Sequence, residues 1–172
     1  MNSNNITLTT ALPEQAEEIY NLMKNVYDRL DNKELYVCDA PEFVKAHIKD
    51  TGFTVIACNE ASEIVACFMV RYPGMDEDNL GRDIGLDANR LNQVAHMESA
   101  VVLSEYRGLG LQVAMLQYAE RAIDKSKYKY FMATVSPDNP WSYCSLERNG
   151  YELKLTKEKY GGLKRRIYLK KM

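Results

Sequence analysis

VAHMESAVVLSEYRGLGLQVAML, residues 94–116, holds an apolar run, a polar break with two glycines, and the start of a helical pattern. Residues 94–103 read as a strand. A helix is expected over about 109–125. Its buried stripe is marked by Leu111, Met115, Tyr118 and Ala122, with Leu116, Ala119 and Ile123 beside it. Gly108 and Gly110 allow a tight turn and a close approach of backbone to ligand. The N–H groups of the first helical turn then point outward with the positive end of the dipole, which suits a pyrophosphate. Arg107 adds a charged donor. The segment lacks the Gly-Lys-Ser/Thr ending of a Walker loop and the third glycine of the dinucleotide fingerprint. Taken alone, Gly-x-Gly also fits a plain turn between strand and helix.

Working outward, residues 5–11 (NITLTTA) alternate as a half-buried strand does. Pro13 can open a helix whose apolar stripe is Ala16, Ile19, Tyr20, Met23, Val26, Tyr27 and Leu30. Asp39 with Glu42 resembles a capping box, which predicts a second helix over about 40–50, stopping at Gly52. FTVIAC (53–58) and IVACFMVRY (64–72) flank NEAS as a hairpin. The polar stretch 73–93 is long for a structureless connection, and a short helix is expected near Asp87–Leu91. YFMATV (130–135) reads as a strand covered on both faces. A helix is expected to start near Asn139 and end at Gly150. YELKL and KRRIYLKK close the chain as two alternating strands, and the basic alternation of the latter reads as the solvated face of an edge strand, against a reading as a basic patch for an acidic partner. This order predicts an α/β (α+β) three-layer domain. Its centre is a mostly antiparallel sheet of about seven strands with helices on both faces.

A chain of 172 residues predicts one domain, 1–172. A net charge of −2 provides no basic field for nucleic acid or anionic membrane. MNSNNITLTT carries no secretory pattern and no apolar run can span a bilayer, so the expected location is cytoplasmic. Cys38, Cys58, Cys67 and Cys144 form no Cys-x-x-Cys, and His47 and His96 are the only histidines. The expectation is no metal and reduced, mostly buried thiols.

VVLSEYRGLGLQVAML resembles the acetyl-CoA-binding segment of the GNAT acetyltransferases, Arg/Gln-x-x-Gly-x-Gly/Ala after a valine-rich strand. Arg107 and Gly110 fill the first and fourth places, and Gln112 stands where the family has Gly/Ala. Asn139 and then Gly150-Tyr151 match the family's later Asn…Gly-Phe/Tyr block, and the element order over about 5–171 matches its fold. The resemblance implies acetyl-CoA as acyl donor. Its pantetheine arm would pair with the backbone of Ala100, Val101 and Val102. Its pyrophosphate would rest on the amides of Arg107, Gly108, Leu109, Gly110, Leu111, Gln112 and Val113, with Asn139 touching the arm. It also implies a small-molecule or peptide amine as acceptor, and members often form homodimers.

Acyl transfer to an amine needs a base for the ammonium, a donor for the developing oxyanion and a proton for the departing thiolate. In the family the oxyanion donor is usually a backbone N–H of the valine-rich strand, here Val101 or Val102. His96 and Glu98 share one strand face and are the candidate bases, against a reading as a structural histidine and a paired carboxylate. The position where many members carry an acid tyrosine is Leu146 here, so Tyr143 and Tyr160 are the candidate acids, against packing roles. The missing tyrosine keeps a catalytically silent acyl-CoA-binding module as the alternative function. Asp76, Glu77, Asp78, Asp83 and Asp87 would favour a cationic acceptor, unless they only solubilise the loop.

Overall fold

A computed structural model describes residues 5–172. Seven strands form one open, mixed sheet in the order β1-β2-β3-β4-β5-β7-β6. These are β1 (Thr7–Thr10), β2 (Gly52–Cys58), β3 (Ile64–Arg71), β4 (Val94–Val102), β5 (Tyr130–Val135), β6 (Glu152–Lys159) and β7 (Leu163–Lys171). The helices are α1 (Ala16–Asp28), α2 (Pro41–Lys49), α3 (Leu80–Asp83), α4 (Ala88–Leu91), α5 (Leu111–Ala122) and α6 (Pro140–Arg148). The residues divide into two compact units.

The first unit takes residues up to Asp31 with Cys38–Val70 and Ser99–Ala122. Here β1 pairs antiparallel with β2, from Thr7↔Cys58 to Thr10↔Val55. The α1 helix buries Ile19, Leu22, Met23 and Val26, one apolar stripe at three- and four-residue spacing. The expected capping box at α2 does not form. Its N-cap is Ala40, and Asp39 instead accepts a hydrogen bond from Ser99 Oγ at 3.2 Å. The helix closes at Asp50, and Gly52 opens β2 rather than capping α2. Pro41 at the first helical position explains the shift, since its fixed φ pre-forms the turn there. The α5 helix buries Leu111, Met115, Leu116 and Ala119, whereas Ala122 is exposed.

The second unit takes Asn32–Val37, Arg71–Glu98 and Ile123–Met172. β4 pairs parallel with β5 from Val94↔Tyr130 to His96↔Met132, and β5 pairs antiparallel with β7. Leu80, Val94, Met132, Ile167 and Leu169 form its apolar centre. β7 is not an edge strand: it lies between β5 and β6. Its Arg165 is buried and donates to the Glu34 carbonyl at 2.6 Å, so the basic run is only partly a solvated face. The 73–93 stretch folds as two short helices, one more than expected. Asn139 caps α6 by accepting from the Ser142 N–H, and Gly150 ends it at φ +84°.

Of the four cysteines only Cys67 is buried, which pushes its thiol up to about 12; the other three are half-buried. Among the described residues no helix is long and apolar enough to cross a membrane.

Candidate active site

The segment that decided the fold builds a glycine-rich turn at the head of α5, inside the first unit. Leu103 N–H donates to the Val65 carbonyl at 3.0 Å, and Tyr106 Oη accepts from Asn59 Nδ2 at 3.1 Å. Those two bonds hold the turn after β4 against the β2–β3 hairpin. Gly108 and Gly110 take φ of +78° and +73°, a region that L side chains rarely adopt. A Cβ at either would meet nothing within 4 Å, so the space above this turn is open. The first helical bond of α5 runs from Ala114 N–H to the Gly110 carbonyl (3.0 Å). The N–H groups of Leu111, Gln112 and Val113 therefore point out of the helix end beside the open turn. The Arg107 N–H donates to the Ser104 carbonyl at 3.3 Å.

The Arg107 guanidinium reaches back to the Val102 carbonyl at 3.4 Å. With Asn25, Val26, Arg29, Leu103 and Ser104 it lines a hollow beside the turn. Ala100 and Val102 are half-buried on β4, and Val101 is buried. Leu109 is 53% exposed, at the outer rim of the turn.

The second unit holds a cleft lined by Leu80, His96, Met97, Glu98, Met132, Ala133, Thr134 and Tyr160. Alternation along β4 brings His96 and Glu98 to one face, as the sequence predicts, with Nδ1 3.2 Å from Oε2. His96 is buried, while the Glu98 side chain keeps 17% exposure. On its other side, His96 Nε2 accepts the backbone N–H of Leu80 at 3.0 Å.

Tyr160 enters from the β6–β7 turn, in left-handed backbone (φ +51°) just before Gly161 and Gly162. Its ring is open to solvent on one side, but its hydroxyl lies 3.0 Å from Thr134 Oγ1 in the cleft. Burial of the hydroxyl, with the Glu98 charge nearby, pushes it up to about 12.

The remaining candidates lie elsewhere. Tyr143 is half-buried on α6 with the Arg166 guanidinium 4.1 Å over its ring, and it does not line the cleft. Leu146 is buried in the same helix. Asn139 caps α6 through its Oδ1, which accepts from the Ser142 N–H.

The acids of the loop are largely spoken for by cations of this chain. Arg71 donates to both oxygens of Asp78 (2.6 and 2.8 Å) and to Asp76 (2.7 Å). Burial works against the Arg71 charge, but these carboxylates outweigh it and raise its proton affinity, while Asp78 is held below the ordinary carboxylate value. Asp83 pairs with Lys157 and Lys159, both at 2.7 Å. Asp87 caps α4 and meets Arg90. Four of the five acids thus have a structural partner within this chain.

The sequence reading missed Leu80 and Thr134. Leu80 meets His96 through its backbone N–H, which any residue but proline could supply, so no side-chain pattern announces it. Arg71 had a readable signal: a lone cation ending an apolar strand, followed by Asp76 and Asp78. Among the described residues no three His, Cys, Asp or Glu side chains gather as a metal-holding group.

The sequence profile described as the acetyltransferase (GNAT) family matches residues 16–151. No curated protein sequence matches the chain. Solved structures with the same fold include a GNAT-family acetyltransferase from Streptococcus pneumoniae, with 15% identity, TM-score 0.73 and coverage of 98% of this chain and 100% of that one. A GNAT-family acetyltransferase from Listeria monocytogenes is similar at 15% identity and TM-score 0.73, covering 99% of each chain. A ribosomal-protein-alanine N-acetyltransferase from Brucella melitensis is similar at 14% identity and TM-score 0.72, covering 96% of this chain and 99% of its own. At these identities the likeness establishes the fold.

Proposed function

The chain belongs to the acetyltransferase (GNAT) family, and from that premise we propose that it works as one domain moving an acetyl group from acetyl-CoA to a primary amine. The acceptor is a small molecule or peptide of the cytoplasm. The observation that carries the reading is the pair of positive-φ glycines opening α5 under unfilled space. A pyrophosphate fits there, on the amides of Gly108 to Val113 and beside Arg107, because backbone donors and helix dipole converge without a side chain in the way. The backbone of Ala100, Val101 and Val102 would hold the pantetheine arm. When bound, acetyl-CoA supplies a thioester, whose carbonyl carbon is open to attack.

The residues of the chain then handle protons. Glu98, at the cleft with part of its side chain exposed, takes the proton from the acceptor ammonium and leaves a lone pair to attack. A backbone N–H of Val101 or Val102 faces the developing oxyanion. Tyr160 returns a proton to the departing sulfur. Its hydroxyl sits in the same cleft as Glu98 and stays protonated at neutral pH. Tyr143 lines no part of that cleft, so the acid role goes to Tyr160.

Thiol release from acetyl-CoA over a broad amine panel tests this, comparing wild type with Glu98→Gln. Turnover that collapses in the variant while acetyl-CoA still binds is the expected result. Binding without turnover on any amine would favour a silent acyl-CoA-binding module, a reading to which the buried Leu146 lends support. Absence of binding would overturn the proposal.

A further inference from the structure

We propose that His96 is a positioning residue for Glu98, with its tautomer set by the backbone N–H of Leu80; this rests on Glu98 being the base. A backbone N–H can only donate. Leu80 N–H reaches Nε2 at 3.0 Å, so Nε2 is the ring's lone-pair nitrogen. The single proton of the neutral ring is then on Nδ1, 3.2 Å from Glu98 Oε2, and it donates to the carboxylate. With its lone pair engaged by Leu80, the ring cannot accept a substrate proton. It fixes the direction in which Glu98 points.

Leu80 stands on a built platform. The neighbouring Asn79 is buried; its amide donates to the carbonyls of Gly74 (2.7 Å) and Leu91 (3.1 Å), and its Oδ1 accepts from the Gly81 N–H (2.8 Å). Gly81 fits with no room to spare: a Cβ there would come within 2.9 Å of Leu91 Cδ2. The Arg71 clasp on Asp76 and Asp78 ties down the start of the same segment. The 73–93 loop, which supplies no carboxylate to the cleft lining, thus governs the candidate base through one amide. The charged and titratable groups around Glu98 include His96 beside it, Arg71 from β3, Asp78 from the loop and Tyr160 from the β6–β7 turn.

The test combines spectroscopy and kinetics on the full chain. Long-range proton–nitrogen spectra of labelled histidine are expected to show His96 with Nδ1 protonated and Nε2 bare, the signal being assigned by its loss in His96→Asn. His96→Ala is expected to lower kcat roughly tenfold with KM unchanged. Its acid limb in kcat against pH should move up by roughly one unit, because the carboxylate loses a donor to its charged form. In His96→Asn the Nδ2–H stands near the lost Nδ1–H and should restore part of both. A proton found on Nε2, or an unmoved pH profile in His96→Ala beside a dead Glu98→Gln, would overturn the positioning role alone. Full turnover in Glu98→Gln would overturn the base reading, and the positioning role with it.

Discussion

The carboxylate of Asp83 and the ammonium of Lys159, seventy-six residues apart, meet at 2.7 Å with side chains only 9% and 14% exposed. Lys157 adds a second bond of 2.7 Å to the other oxygen. This bridge fixes α3, whose first residue is Leu80, to the edge strand β6.

Burial works against the Asp83 charge, but the two lysines win and hold its carboxyl below the ordinary 3.8. A carboxyl depressed in the folded state contributes stability that is complete above 3.8 and drains away as pH falls through its folded value. Asp83→Asn is expected to lose about 1–2 kcal/mol near pH 7, and the gap from wild type should narrow near pH 3. Urea midpoints at the two pH values measure this. An equal gap at both would count against the bridge.

Arg71→Met keeps most of the stem's volume and removes the clasp on Asp76 and Asp78. Those acids are about half exposed (61% and 56%), so water takes them over and the cost is modest, about 1–2 kcal/mol in denaturant midpoint. The larger effect should be on kcat, since the segment carrying the Leu80 N–H loses its anchor and Glu98 loses a nearby cation. Comparing the two losses separates effects at the cleft from global stability.

Gly110→Ala places a Cβ in open space but forces it to φ +73°. The penalty is backbone strain of about 1–2 kcal/mol. Acetyl-CoA affinity should fall by roughly tenfold as the turn relaxes away from its present shape. Calorimetric titration against wild type reads it; unchanged affinity would move the anion site elsewhere.

Tyr160→Phe removes the hydroxyl that meets Thr134. Turnover is expected to fall roughly tenfold to a hundredfold. Because the hydroxyl is pushed up to about 12 from 10, it stays protonated throughout the working range. The sign follows: a raised folded value adds stability present below 10 and lost as pH rises through about 12. Any basic limb in kcat below pH 10 should therefore survive in Tyr160→Phe; its disappearance would show that Tyr160 titrates lower.

Much of the fold is legible in the chain. Alternation placed His96 and Glu98 on one face, glycine chemistry placed the α5 turn, and Asn139 with Gly150 bracketed α6. Each of these is a local property, governed by neighbours within a few residues. The failures are also instructive. Pro41 displaced the expected cap at Asp39, and β7 went to the sheet interior although its lysines and arginines suggested an edge.

By itself, then, the sequence determined most of the elements, their order and the residue types at the turn and on β4, because periodicity and backbone conformational preference act locally. Only the tertiary structure decided who meets whom: Leu80 N–H with His96, Tyr160 with Thr134, and Arg71 and the two lysines with the loop acids. Hydrogen bonds and ion pairs join groups brought close by packing, and a backbone N–H has no side chain by which a sequence could announce it.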